Sequence, residues 1–238
     1  MTSWASPQSV RNETLGWGGK NRTEGKYTLA VPAQFAAQLN TAGGSISVQD
    51  LTGEVRAGTS GGGLHFARIH GSLAGNTSGG GIEVSDCEGK IKIDTSGGGI
   101  SVSGGGGEVA GKTSGGGVSV KSFAGPAHVE TSGGGITIVN VAGKVDGSTS
   151  GGPINVTLSA PLAGPVKLST SGGGVTVRAP ETAAFQLDAE TSGSGVTCDL
   201  PITLDGKKQP DRMKGAVNDG ATSVWLRSSG GGIHVKRL

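Results

Sequence analysis

Apolar and polar residues alternate along most of this chain in a pattern that returns every 18 residues. Let each unit be counted from a threonine at position 0: Thr41, then Thr59, Thr77, Thr95, Thr113, Thr131 and Thr149. Position 5 then holds Ile46, Leu64, Ile82, Ile100, Val118, Ile136 and Ile154. Position 7 holds Val48, Phe66, Val84, Val102, Val120, Ile138 and Val156. A spacing of two, in branched residues bounded by glycine, marks a short strand with one buried face. Apolar residues recur at position 10 (Leu51, Ile69, Cys87, Phe123, Val141) and position 14 (Val55, Leu73, Ile91, Val109, Ala127, Val145), so each unit is expected to hold two or three strands.

A unit this short cannot bury its own apolar side, so successive units must stack. The pattern predicts an all-β fold, a single-stranded β-solenoid with 18-residue coils and glycine corners. Right-handed winding is the expectation for parallel strands joined by crossovers. Residues 41–238 would form about ten coils, a rod on the order of 50 Å long at ~4.8 Å per coil. The coils lengthen after residue 150: looser copies of the motif begin at Thr170, Thr191 and Ser228.

Residues 1–40 differ in composition, with Trp4, Trp17 and Tyr27 among them, and read as an N-terminal cap. Residues 5–35 are expected to cover the first coil, with a short helix near Pro32–Ala37. A cap of this kind would keep the exposed strand edge from pairing with another chain.

The corners follow from the glycines. Position 12 is Gly53, Gly71, Gly89, Gly107, Gly125 and Gly143 in the six regular coils, a column expected to turn with positive φ. The glycines at positions 2 to 4 form the second corner, where neighbouring coils come too close for side chains. Strand parity turns the threonines inward or into that corner, with hydroxyls bonding one another and the turn backbone. The serines after them (Ser60, Ser78, Ser96, Ser114, Ser132, Ser150) point outward.

Composition narrows the function classes. Aromatic residues make up 3% of the chain and glycine 48 of its 238 residues, which excludes a globular core built on large rings. The glycines keep register with Ile and Val, which a disordered linker has no reason to do. The net charge of +2 comes from interspersed cations and anions, so no nucleic-acid footprint is visible. No apolar run is long enough to span a membrane as a helix.

A resemblance is carried by Tyr27-Thr-Leu-Ala-Val-Pro32-Ala, Thr41-Ala-Gly-Gly-Ser-Ile-Ser-Val48, Leu51-Thr-Gly-Glu-Val55, the Thr-Ser-Gly-Gly-Gly coils, and the closing Ser228-Ser-Gly-Gly-Gly-Ile-His-Val235. Together these resemble the bacterial DUF4097 family, labelled adhesins. The resemblance implies a β-solenoid that is exported or attached to the cell envelope; it names no partner, and a surface glycan or another envelope protein are the candidates. It brings no catalytic residue, because the repeated motif is architectural.

Candidate chemistry was sought on the outward positions. Sugar-cleaving β-helices need convergent carboxylates, whereas position 9 reads Asp50, Arg68, Asp86 and position 17 reads Asp94, Lys112, Glu130. Opposite charges one coil apart are expected to pair as exposed ladders. His65, His70, His128 and His234 show no metal-ligand spacing, and an aliphatic residue stands where a calcium-binding repeat needs aspartate. Cys87 and Cys198 sit at inward positions of distant coils and are expected to be free thiols.

The chain is therefore read as non-enzymatic, without cofactor or metal, monomeric or weakly associating, and acting as a surface scaffold or binding module. The alternatives are a polysaccharide-active enzyme and a binder of ice or crystalline glycan through the Ser/Thr array. The candidate binding segment is the basic insertion carrying Lys207, Lys208, Arg212 and Lys214, because binding function concentrates on loops held by a rigid scaffold.

Overall fold

The computed structural model describes residues 9–14, 25–207 and 209–238, with side chains from Lys26 onward. All regular structure in these residues is β-strand. β1 (Ser9–Thr14) and β2 (Gly25–Ala30) pair antiparallel in a two-stranded sheet of their own. The remainder of the expected cap, residues 1–8 and 15–24, lies outside the described residues.

The solenoid follows, two named strands to a coil. It runs through β3 (Ala37–Thr41) and β4 (Ile46–Thr52), β5 (Val55–Thr59) and β6 (Leu64–His70), then β7 (Leu73–Thr77) and β8 (Ile82–Ser85). Next come β9 (Glu88–Thr95) and β10 (Ile100–Ser103), β11 (Gly106–Thr113) and β12 (Val118–Phe123), β13 (Ala127–Thr131) and β14 (Ile136–Val141). The regular part closes with β15 (Val145–Thr149) and β16 (Ile154–Thr157), then β17 (Val166–Thr170) and β18 (Val175–Ala179). Pairing is parallel and in register by one repeat, so Ile100 lies on Val118 and Val102 on Val120. A third, short side at positions 10 to 12 pairs Leu51 with Ile69 and His70 with Glu88.

The helix expected near Pro32–Ala37 is absent. The segment is extended, Gln34 bridges Thr52, and Ala37 already begins a strand that pairs with β5. Phe35 N donates to the Thr52 carbonyl at 3.1 Å. Pairing with the next coil satisfies these backbone groups and outweighs a local preference for helix among alanines.

Inside, positions 5, 7, 10 and 14 form apolar columns, that at position 10 interrupted by Gly105, with Leu64, Ile82, Ile91, Val109 and Val120 each at most 1% exposed. Large and small residues interlock: a Cβ on buried Gly75 would stand 3.0 Å from Phe66 Cε2, so the ring occupies that space.

The threonine column is buried and wholly committed to the backbone. Thr113 Oγ1 donates to the Gly98 carbonyl of the coil beneath at 2.7 Å and accepts from Gly116 N in its own turn at 3.3 Å. Thr77, Thr95, Thr131 and Thr149 repeat both bonds. The hydroxyls thus bind the turn backbone, as expected, but not one another, the other half of the expectation. Thr113→Val keeps the volume but strands a carbonyl and an N–H, a loss of about 1–3 kcal/mol. Thermal unfolding of T113V against S114A should show several degrees lost by the first and almost none by the second, whose serine is exposed.

Both glycine corners exist, for two different reasons. At position 12, Gly53, Gly71, Gly89, Gly107 and Gly125 have φ between 108° and 153°. Gly143 departs from the expected positive φ; it is held instead by proximity, since a Cβ there would lie 2.6 Å from Gly125 C. At position 3 the constraint is contact: a Cβ on Gly62, Gly80, Gly98, Gly116 or Gly134 would overlap the carbonyl of the glycine one coil below. Position 4 is looser and already holds Pro153.

A third corner was not read from the sequence. Position 9 is left-handed throughout, with φ of 57° at Asp50, 53° at Arg68, 50° at Asp86, 68° at Gly104, 53° at Ser122 and 53° at Asn140. Asp, Asn and Gly tolerate this region best, which explains most of the column, with Arg68 and Ser122 the exceptions.

The order of the last coils departs from the order in the chain. β19 (Phe185–Thr191) and β20 (Val196–Cys198) do not stack on β17 and β18. Between them lie β23 (Ser223–Ser228) and β24 (Ile233–Arg237). β23 pairs with β17 on one side and β19 on the other, and β24 with β18 and β20. The hydroxyl rule holds in space rather than in sequence: Ser228 Oγ donates to Gly173 O at 2.8 Å, and Thr191 Oγ1 to Gly231 O at 2.6 Å. Beyond β19 the ladder turns antiparallel, closed by a hairpin of β21 (Ile202–Leu204) and β22 (Arg212–Val217).

Candidate functional site

The basic insertion spans the connection within that end hairpin and the start of β22, which carries Arg212 and Lys214. With Asp205 N donating to Lys214 O at 2.8 Å, the two arms are held together at the base of the loop. A cavity of about 250 Å³ opens there, lined by Leu204, Asp205, Lys207, Gln209, Arg212, Met213 and Lys214. The structure therefore brings Lys207, Arg212 and Lys214 to one concavity. Lys208 lies outside the described residues.

Two features leave this cavity cationic. Three cations line it against a single carboxylate, Asp205, which accepts a hydrogen bond from Gln186 Nε2 at 3.1 Å. The carboxylates directly across the ladder, Asp188 opposite Lys214 and Glu190 opposite Arg212, are drawn to the other flank of β19. There Arg227 Nη2 meets Asp188 Oδ1 at 2.9 Å and Arg227 Nε lies 3.6 Å from Glu190 Oε2. Among the described residues, Lys207, Arg212 and Lys214 form no ion pair within 4.0 Å.

The strand that draws those carboxylates away also carries Trp225, which the sequence reading passed over. Arg227 lies 4.3 Å and Lys167 5.2 Å from the ring centroid, so the half-buried indole is clasped by two cations on the outward face. Arg227 lies on the same strand as Trp225, whereas the Lys167 contact depends on β23 lying beside β17. No local signal in the sequence places Lys167 beside Trp225.

Elsewhere the outward charges pair one coil apart. Arg68 Nη2 reaches Asp50 Oδ2 at 2.9 Å, and Lys112 Nζ reaches Glu130 Oε2 at 3.2 Å. The Arg68 hydrogen bond lowers the Asp50 pKa, and that of Lys112 lowers the Glu130 pKa, each against a smaller opposing effect of desolvation. His65 faces Glu83 at 3.1 Å and His70 faces Glu88 at 3.2 Å. These exposed pairs contribute little each.

The thiols are free: Cys87 is buried and Cys198 half-buried, less enclosed than its inward position implied. Burial pushes both thiols above their ordinary pKa, the reverse of what an activated nucleophile needs. Among the described residues no group of three His, Cys, Asp or Glu side chains could hold a metal ion. Among the described residues no helix is long and apolar enough to cross a membrane.

The Toastrack DUF4097 family matches residues 76–236, and the chain belongs to this family. No curated protein and no solved structure matches the chain.

Proposed function

We propose that this chain is a non-catalytic, adhesin-like binding module of the bacterial cell envelope, a stiff rod that presents a cationic recognition site at one end to an acidic surface glycan. The supporting observation is the convergence of Lys207, Arg212 and Lys214 on one cavity against a single lining carboxylate, Asp205, while Asp188 and Glu190 across the ladder are engaged by Arg227. Uncompensated cations around a concavity favour carboxylate- or phosphate-bearing ligands, and Arg212 adds a planar fork suited to two oxygens. The parallel ladders hold the hairpin on a rigid base, which limits the ordering cost of binding.

A glycan array with neutral and acidic members, run beside bacterial envelope fractions, tests this reading. Saturable binding confined to acidic glycans is expected, weakened at least about tenfold by R212Q, as removal of one charge-assisted contact implies. K207Q/R212Q/K214Q should abolish it without a change in melting temperature. Binding that ignores these substitutions, or no binding to any acidic glycan or envelope fraction, overturns the proposal.

A further inference from the structure

The displaced coil, Ser223–Arg237, fills a slot whose walls are made by segments remote from it in the chain. On one wall Val224 pairs with Val166, Leu226 with Leu168 and Ile233 with Val175. On the other, Val224 pairs with Leu187, Leu226 with Ala189 and Ile233 with Val196. Val224, Leu226, Ile233 and Val235 are each fully buried. Without this coil, two facing strand edges and two apolar surfaces would be open, and only a strand pair with the same spacing of inward residues and glycines fits between them.

What ties the coil to its own slot is a tight crossover. After β22 the chain passes over the start of β19 through Asn218 (φ 47°) and Asp219 (φ 52°), with Gly220 N donating back to Val217 O at 3.1 Å. Gly220 is pressed so closely on Ala184 and Phe185 that a Cβ would overlap their backbone. Asn218 Nδ2 clasps the linker beneath, donating to Glu181 O at 2.8 Å and Ala183 O at 2.9 Å. Short crossovers of restricted geometry favour exchange of the element they carry, because the exchanged form repeats every contact and releases the crossover.

We propose that the coil Ser223–Arg237 is an exchangeable insert whose second acceptor is another copy of this chain: in a closed pair, each copy's β23 and β24 fill the slot between β17–β18 and β19–β20 of the other. Opening needs rearrangement only at residues 218–222. Such a pair is symmetric, forms no new surface of its own, and sets two cationic end cavities on one particle.

The test mixes isotopically heavy and light full chains at high concentration, warms them to the unfolding midpoint, cools them, and weighs the products by native mass spectrometry. Mixed-mass dimers are expected, about half of all dimers. A lock is available at Thr176 and His234, which are ladder partners on the outward face. Neighbouring strands lie about 4.8 Å apart, within disulfide reach. Oxidised T176C/H234C should stay monomeric through the same cycle and form mixed dimers again once reduced. Monomers alone from the parent chain would overturn the proposal, as would mixed dimers from the oxidised lock, which would place dimerisation on another surface.

Discussion

Gly98→Ala, the tightest position in the column of position-3 glycines, is expected to remove a large part of the rod's stability. Its Cβ would overlap the carbonyl oxygen of Gly80, and the obstacle is backbone on both sides. Relief would require two coils to separate, yet Gly97 N to Ser78 O at 2.9 Å and Thr95 Oγ1 to Gly80 O at 2.8 Å hold them at that turn. Overpacked cores that yield by moving side chains lose about 1–3 kcal/mol. This site has no side chain to move, so a loss above about 4 kcal/mol is expected, in the range reserved for a few severe mechanisms. For a chain of this size that is a fall in Tm of roughly 10 °C or more. Gly99→Ala, whose Cβ would stand 3.1 Å from Gly117 O, is the matched comparison and should fall much less. Equal melting of the two variants would contradict the stacking of the turns.

Leu226→Asp is expected to be equally severe and to report on coil order. Leu226 is fully buried between Leu168 and Ala189, and a carboxylate there has no partner. Burial of an uncompensated charge adds several kcal/mol to the loss of a leucine's apolar contacts. Were the coils stacked in chain order, Ser223–Arg237 would be a terminal coil, and damage would be confined to fraying of that segment. In the observed order the coil separates β17–β18 from β19–β20. Amide hydrogen exchange on L226D should therefore lose protection across residues 166–198 as well as 223–237. Protection retained at 166–179 would contradict the insertion.

Much of the fold was legible because its rules are local. The period fixed which residues lie in register, and parity placed Ile82, Val84 and Ile91 inside and the Ser60–Ser150 file outside. The corner at position 9 was hidden because its residues were read for charge: Asp50 and Arg68 do form an exposed pair, but what unites the column is a left-handed backbone. The order of the last coils was hidden for a deeper reason. Nearly every coil presents the same glycine corner, a Thr or Ser hydroxyl at position 0 and the same spacing of inward residues, so coils are close to interchangeable as stacking partners, and nothing in Thr170, Thr191 or Ser228 records which is next. The long step from Thr191 to Ser228 and Ser194 in place of the position-3 glycine are the visible marks of disturbance.

The candidate site divides the same way. Lys207, Arg212 and Lys214 stood out as a basic insertion interrupting the repeat. Their excess charge could not be read, because it depends on Arg227 reaching Asp188 and Glu190 across a pairing made only when β23 enters its slot. The clasp on Trp225 depends on the same step, with Lys167 supplied by one wall.

One measurement tests this architecture most directly. In the regular coils the amide at position 5 donates to the position-4 carbonyl of the next coil, as Ile154 N does to the Gly174 carbonyl at 2.9 Å. Scalar coupling across hydrogen bonds, recorded on the deuterated chain, identifies the acceptor of the Val175 amide. The account predicts Gly232, at 3.0 Å, with Ile233 coupled in turn to Gly195. Coupling from Val175 directly to Gly195 would mean that the coils stack in chain order, and would contradict both the slot and the setting of the cationic cavity.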